Sequence, residues 1–312
     1  MKKSKSSPPM TVLHRKKTSV SGAELTVEQD AAGLRSLFLD GVVQSECYVQ
    51  KAKKGGGSGD GEISLSQPLE LVQLMSLLSA SWINAGGAVD VEAPKLLLIG
   101  VGGGSIPIVL NKVSDRLRQH LVELEPEVLQ AAVDFFGLEL SERCTGVAGD
   151  SAKVLSAHAD LCRAQPAEAY DILLLDAFTA ADGLAKSTQE EQTLSNATAC
   201  VSSRGMLVVN LHTGDPADDP DYPVCRRVLR ALCARFDCVY AISCATTLNL
   251  LAVCHHGEMV DADAWEGRFK ELMRTVPAMK TACENLNLDI TMARFDFVGG
   301  KDSPMEYDEY GL

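Results

Sequence analysis

Residues 95–105 read Lys95-Leu-Leu-Leu-Ile-Gly-Val-Gly-Gly-Gly-Ser105, and this stretch decides the fold. Leu96 to Ile99 form an apolar run of the length of a short buried strand. Gly100, Gly102, Gly103 and Gly104 follow at once, and Ser105 to Val113 read as a helix start. Pro107 is tolerated there because it falls in the first helical turn. Strand, glycine turn and helix N-terminus in succession make a nucleotide-binding crevice at the carboxyl end of a parallel sheet. Glycine suits the turn because any Cβ would hold a ligand away from the backbone. The spacing Gly100-x-Gly102-x-Gly104 differs from the dinucleotide pattern G-x-G-x-x-G, and alone it also describes a plain surface turn.

The next strand supplies the second signal. His120-Leu-Val-Glu-Leu-Glu125 ends in acids, and Glu123 lies roughly 20 residues past the glycines, where a carboxylate takes both ribose hydroxyls of a nucleoside. An ordinary solvent-facing acid is a poor account of both signals together.

Downstream, strand and helix alternate. Pro126 opens a helix with Leu129, Ala132, Val133 and Phe136 on one face, closed by Gly137. Strands are expected at Cys144 to Ala148, Tyr170 to Leu175 and Met206 to Leu211, and helices after Ser151, from Thr188 to Val201, and around Cys225 to Phe236. Cys238 to Ser243 and Leu248 to Cys254 are joined by only a few residues, so they must pair antiparallel. A late helix spans Ala264 to Met273. The fold class expected is α/β: a Rossmann-like, mostly parallel seven-stranded sheet with one antiparallel edge strand.

Upstream, Leu34 to Leu39 and Val42 to Val49 read as a hairpin turned at Asp40-Gly41. Lys51 to Gly61 is a flexible loop by composition. Ser66 and Pro68 read as the start of a helix with Leu71, Met75, Leu78 and Trp82 on one face, ended by Gly86-Gly87. The expected domains are a disordered basic tail (1–22), a small amino-terminal β-hairpin region with its loop (23–65), a Rossmann-like domain (66–298) and an acidic tail (299–312).

Composition narrows the function classes. The 312 residues carry a net charge of −13, which argues against a nucleic-acid surface. The bases Lys2, Lys3, Lys5, Arg15, Lys16 and Lys17 sit in the amino-terminal tail, leaving the body more acidic still. That charge suits a basic partner, and equally plain solubility. No apolar run reaches membrane-spanning length, so no membrane partner is expected. The ten cysteines form no C-x-x-C pair and several lie in apolar runs, as in reduced proteins of a cytoplasmic-type compartment. The basic, Ser-containing N-terminus leaves organellar targeting open. No metal is expected at Cys254-His255-His256, because neighbours on a strand point to opposite faces.

Residues just past the carboxyl ends of the strands line the crevice. Besides the glycines and Glu123, these are Asp150, Asp176 and the Asn210-Leu-His212 end. Asp150 suits hydrogen bonding to an adenine amino group, or a helix N-cap, or both. Asp176 ends the apolar run Ile172 to Leu175, where a carboxylate can hold a substrate amine and help strip its proton. A capping acid is the plainer account of Asp176, and a structural imidazole that of His212.

These motifs, in this order, resemble the spermidine synthases and their methyltransferase relatives. The resemblance rests on Leu37-Phe-Leu-Asp-Gly-Val-Val-Gln44, on Glu123-Leu-Glu-Pro-Glu-Val-Leu129 with Phe135-Phe-Gly137, on Gly149-Asp150 and on Tyr170-Asp-Ile-Leu-Leu-Leu-Asp176. It spans roughly Leu34 to Leu211 and is weak in the last third of the chain. It implies an S-adenosyl-L-methionine-type cofactor, with Glu123 at its ribose, Asp150 at its adenine, and Gly100, Gly102 and Gly104 along its methionine portion. Gln44 would reach over the cofactor from the hairpin, and Asp176 would be the catalytic residue.

The departures matter more. Spermidine synthases carry an Asp within the glycine turn and a second Asp three residues after the one matching Asp176; this chain has Gly103 and Thr179. An aminopropyltransferase must hold two cationic amines, so losing two carboxylates removes the expected counter-charges. Intact S-adenosylmethionine carries a carboxylate of its own that an acid at position 103 would repel. Val101 to Pro107, with Val42-Val-Gln-Ser-Glu46, is most similar to the carboxyl-terminal domain of the methyltransferase-like 13 family, which methylates translation elongation factor 1A.

The resemblance implies an S-adenosylmethionine-dependent methyltransferase acting on a protein amine, a lysine or an amino-terminal amine. The alternatives are a polyamine aminopropyltransferase, a non-catalytic relative that binds cofactor or partner, and, weakest, a nicotinamide oxidoreductase. A homodimer stays open, as do the acceptor and the number of methyl groups.

Overall fold

The computed structural model describes residues 10–50, 61–85, 92–179, 183–213 and 221–301. The amino-terminal part is a five-stranded antiparallel sheet in sequence order: β1 (Thr11–Lys17), β2 (Glu24–Gln29), β3 (Leu34–Leu39), β4 (Val42–Gln50) and β5 (Glu62–Ile63). The rest begins α1 (Glu70–Ala85), β6 (Lys95–Ile99), α2 (Ser105–Val113), β7 (Arg118–Glu123), α3 (Pro126–Phe136), β8 (Cys144–Ala148), α4 (Ser151–Ala164) and β9 (Tyr170–Leu175). It continues through the short pair β10 (Phe178–Thr179) and β11 (Gly183–Leu184), then α5 (Lys186–Gln189), α6 (Glu191–Cys200), β12 (Val201–His212) and α7 (Asp221–Cys233). The chain ends in β13 (Cys238–Ser243), β14 (Asn249–His255), α8 (Ala262–Thr275), α9 (Pro277–Ala282), α10 (Leu288–Met292) and β15 (Phe295–Gly299).

The main sheet has eight strands in the order β15-β13-β14-β12-β9-β6-β7-β8. The five from β12 to β8 run parallel. The continuous apolar runs Leu96–Ile99 of β6 and Ile172–Leu175 of β9 explain why helices cover both faces. Leu96, Leu98, Ile172 and Leu174 pack with α1, α2, α8 and α9, whereas Leu97, Ile99, Leu173 and Leu175 pack with α4, α6 and α7. The same alternation separates Cys254, inside the second layer, from His255, which stacks on Tyr240.

Four expectations need correction. The sheet has eight strands, not seven, and the predicted pair β13–β14 is not its edge. β14 runs antiparallel between β12 and β13, and β15 forms the reversed edge. Phe295 and Phe297 lie against Tyr240 at 5.4 and 5.6 Å; five residues were too few for their alternation to stand out. Second, the amino-terminal hairpin is part of a full sheet packed on α3 through Leu25, Val27, Leu37, Val128 and Phe136. Third, α1 starts at Glu70, past Ser66 and Pro68, and it is buried all round: Met75 and Leu78 are covered, but so are Ser76, Ser79 and Ser81. Fourth, residues 186–201 form two helices broken at Glu190, which takes an extended conformation. The loop expected at Lys51 to Asp60, the helix end at Gly86-Gly87 and the acidic tail beyond Lys301 lie outside the described residues.

The disorder expected for residues 1–22 is corrected as well: β1 pairs with β2 at Thr11, Val12 and His14 to Lys17, with an irregularity at Leu13. Its bases meet acids, Arg15 facing Glu24 at 3.9 Å and Lys16 facing Glu127 at 3.7 Å, but such exposed pairs contribute little. The stronger tie is the turn after β1. Val20 and Ser21 donate their N–H groups to the carboxylate of Glu125 at 3.1 and 2.8 Å, and that side chain is 3% exposed. Hydrogen bonds to a buried charge are worth more than neutral ones. Glu125→Ala is therefore expected to cost about 2 kcal/mol in denaturant melts. It should also speed amide hydrogen exchange in β1 while leaving β6 and β9 protected.

Candidate active site

The carboxyl ends of β6, β7, β9 and β12 open into one cavity of about 450 Å³, closed on one side by the β3–β4 hairpin and on another by the start of α1. Gly100, Gly102, Glu123, Asp150, Asp176 and Gln44 all line it, as do Asn210 and His212. Gly104 sits behind the lining, as the residue preceding α2, with φ of 75°.

The glycine turn is shaped by what approaches it. Gly100 has φ of +87°, and a Cβ there would lie 2.2 Å from the Asp176 carbonyl oxygen. Strand β9 can therefore end beside β6 only because residue 100 lacks a side chain. The carboxylate of Glu123 accepts from the N–H groups of Val101 and Gly102 at 2.9 and 3.2 Å, so it braces the turn. Burial pushes the Glu123 carboxyl up, against the backbone donors that lower it. From the hairpin, Ser45 Oγ accepts from Gly103 N at 2.7 Å. A Cβ on Gly103 would come within 2.8 Å of the Ser45 Cβ and 3.0 Å of the Phe136 ring. An acid at position 103 would thus have to displace the hairpin.

Asp150 is the N-cap of α4, accepting from Lys153 N at 3.0 Å, and it lines the cavity as well. The N-cap expected of it is observed. Gln44 bends back, its Nε2 donating to the Val42 carbonyl at 3.3 Å, at the cavity wall.

Asp176 is the most perturbed acid of the site. Burial pushes its carboxyl up to about 7; the negative charge of Glu123 adds to this, and a 2.7 Å hydrogen bond from Asn210 Nδ2 opposes it. Two further residues went unforeseen. Ser45 gave no signal beyond its place in the hairpin, and Glu70 looks like any acid at a helix start. Yet Glu70 lines the cavity while its Oε2 accepts from Ala245 N, Thr246 N and Thr246 Oγ1 at 2.7, 2.9 and 3.0 Å.

Among the described residues the lining includes four carboxylates (Glu70, Glu123, Asp150 and Asp176) and neither Lys nor Arg. The chemistry of that donor set suits a cation, ribose hydroxyls and an amine, and it disfavours an anionic acceptor. The volume is that of a small-molecule site.

This fold and this site define a class: the chain has the spermidine synthase-like class I methyltransferase fold. A probable spermidine synthase from Corynebacterium glutamicum matches with a TM-score of 0.65 and 14% identity over 86% of this chain and 88% of that one. Human methyltransferase-like protein 13, solved in complex with SAH, matches with a TM-score of 0.57 and 21% identity over 67% of this chain and 93% of that one. In sequence, the chain is similar to the polyamine aminopropyltransferase of Vibrio vulnificus, 31% identical over 126 residues, covering 40% of each. It is also similar to the eEF1A lysine and N-terminal methyltransferase of Danio rerio, 25% identical over 164 residues, which are 51% of this chain and 22% of that protein. The chain thus spans less than half the length of the curated relatives it matches. No protein-family model matches it.

Two measurements check the site. Gly100→Ala should cost several kcal/mol, roughly 2–4, because it joins a backbone clash to a strained φ; chemical denaturation reads this. Asp176→Asn should act in the opposite direction at neutral pH. The folded protein holds the Asp176 proton up to about 7, against an ordinary value of 3.8. Its contribution to stability is therefore full below that ordinary value and is lost as pH rises through about 7. The variant escapes that loss, so its stability relative to wild type should increase between pH 4 and pH 8 by a few kcal/mol, about 4 at most. Thermal melts across that range test it.

Proposed function

We propose that this protein is an S-adenosyl-L-methionine-dependent methyltransferase acting on a protein amine. The observation that carries this reading is the packing at Gly103. Ser45 and Phe136 fill the space beside it, leaving no room for the acid that aminopropyl transfer uses there. A cavity without that carboxylate accepts the carboxylate end of the intact cofactor. The similarity to eEF1A lysine and N-terminal methyltransferases supports the same choice, and elongation factor 1A is the first acceptor to try. The net charge of −13 suits a basic partner.

The residues divide the work. Glu123 and Asp150 would hold the ribose and adenine ends, the glycine turn and Gln44 the methionine end. S-adenosylmethionine supplies an electrophilic methyl group on a sulfonium. An amine acceptor is protonated at neutral pH and must lose that proton before its lone pair can attack. Asp176 can take it, since a carboxyl held up to about 7 is a matched base near neutrality. The four carboxylates favour the cationic sulfonium and the amine. Leu39, Val42, Val43, Leu69 and Leu71 line the same cavity and exclude water from the reacting atoms.

The second reading, aminopropyl transfer to a polyamine, is favoured by the 31% identity to the Vibrio enzyme. The free, buried state of all ten cysteines supports a reducing compartment, which we take to be the cytoplasm.

Calorimetric titration with S-adenosylmethionine and with its decarboxylated form decides between the two transfers. Tighter binding of the intact cofactor is expected; tighter binding of the decarboxylated form would overturn the assignment, and binding of neither would leave a non-catalytic relative. With labelled donor and elongation factor 1A, kcat should rise with pH through about 7, as Asp176 loses its proton. Asp176→Asn should lower kcat by about 10²–10⁴-fold while cofactor binding persists.

A further inference from the structure

Two amides stand beside Asp176 that the chemistry above leaves without a role. Asn210 is 1% exposed, a polar side chain within the apolar run Val208 to Leu211. Its Nδ2 donates to Asp176 Oδ1 at 2.7 Å, and its Oδ1 accepts from Asn249 Nδ2 at 3.0 Å. The three side chains come from the adjacent carboxyl edge of β9, the end of β12 and the start of β14. Pairing sets them side by side: Val209 is in register with Leu175, and His212 with Asn249.

The chemistry of the chain fixes its direction. Oδ1 of Asp176 is an acceptor, so Asn210 must turn its nitrogen to the acid and its oxygen to Asn249. Asn249 must in turn present its nitrogen. The backbone of Asn249 is itself held, because Cys244 N donates to its main-chain carbonyl at 2.9 Å and the loop between them is pinned to α1 by Glu70. A buried amide with both ends engaged has one orientation, and so does the carboxylate it grips.

We propose that Asn210 and Asn249 form an amide relay that positions Asp176, gripping Oδ1 so that Oδ2 is left to receive the proton of the acceptor amine. Asn210 is the positioning residue, and Asn249 acts through it by preventing its amide from turning over. The relay also tunes the acid. Of the groups around Asp176, Glu123 on β7 pushes its carboxyl up in the same sense as burial, and the Asn210 N–H opposes both. Cys244 after β13 faces Asp176 too, while Glu70 on α1, Asp150 before α4 and His212 on β12 share the cavity. The Asn210 N–H is thus the contact that keeps the acid ionisable near neutral pH.

The inference rests on the methyl-transfer reading for its kinetic readout alone; the titration of Asp176 does not. Carbon-13 NMR of the side-chain carboxyls, with Asp176 assigned by its loss in Asp176→Asn, follows that titration in the full chain without substrate. Asn210→Ala should raise the Asp176 midpoint by about one pH unit, the loss of one charge-assisted hydrogen bond. It should move the acid limb of the kcat–pH profile by the same amount. Asn249→Ala, at the partly exposed start of β14, should shift both in the same direction by less, and it serves if Asn210→Ala does not fold. An unmoved midpoint in a folded variant overturns the relay, as does a kcat that falls equally at every pH. A shifted midpoint in a protein that binds neither cofactor leaves the relay standing and removes the methyl-transfer reading.

Discussion

Everything at the carboxyl edge of the sheet depends on one close approach. β6 and β9 pair in register up to Ile99 and Leu175, and Asp176 N then donates to the Ile99 carbonyl at 2.8 Å. The two chains leave the sheet so near each other that residue 100 has no space for a Cβ. That single restriction puts the glycine turn under the end of β9 and sets Asp176 at the cavity wall. It also lets Glu123 reach the turn from the neighbouring strand. The acids that define the chemistry are therefore brought together by backbone pairing, and their mutual repulsion is tolerated because strand hydrogen bonds and two apolar layers outweigh it.

Much of this was legible in the sequence, for physical reasons. β6, β9 and the β3–β4 turn at Asp40-Gly41 announce themselves because a doubly covered strand needs a continuous apolar run and a tight hairpin needs residues that accept positive φ. Asp150 and Asp176 were readable as polar residues that end such runs. What escaped were long-range partners. Nothing local marks Ser45 as the acceptor for Gly103, or Glu70 as the clamp on the 245–246 backbone, because those bonds join residues far apart in the chain. β1 was hidden by its charge: a strand ending Arg15-Lys16-Lys17 carries no apolar alternation, and what fixes it is the buried carboxylate of Glu125. β15 was hidden by its brevity.

The site also illustrates how one fold divides between chemistries. Aminopropyl and methyl donors share a nucleoside and a sulfonium and differ by a carboxylate. Under the methyl-transfer reading proposed above, what would separate them in this chain is a contact between the hairpin and the turn, Ser45 on Gly103, rather than a new charged group. A side chain at position 103 would meet Ser45 on β4 and Phe136 on α3, so placing an acid there needs more than one change. Substrate class in such a fold is then partly a property of the amino-terminal sheet, which lies outside the nucleotide-binding layers.

That sheet has a consequence for how the molecule is made. Ser45 and Gly103 are 58 residues apart, and the Val20–Glu125 contact spans 105. The amino-terminal sheet is complete by Ile63 and can pair from neighbouring strands, whereas the cavity it walls needs β12 and β14 from the far end of the chain. Closure of the site is consequently a late, non-local event in folding, slowed by the loop entropy it must overcome. A nascent chain holds an unfinished wall until β12 and β14 have been made, and the pocket exists only from then on.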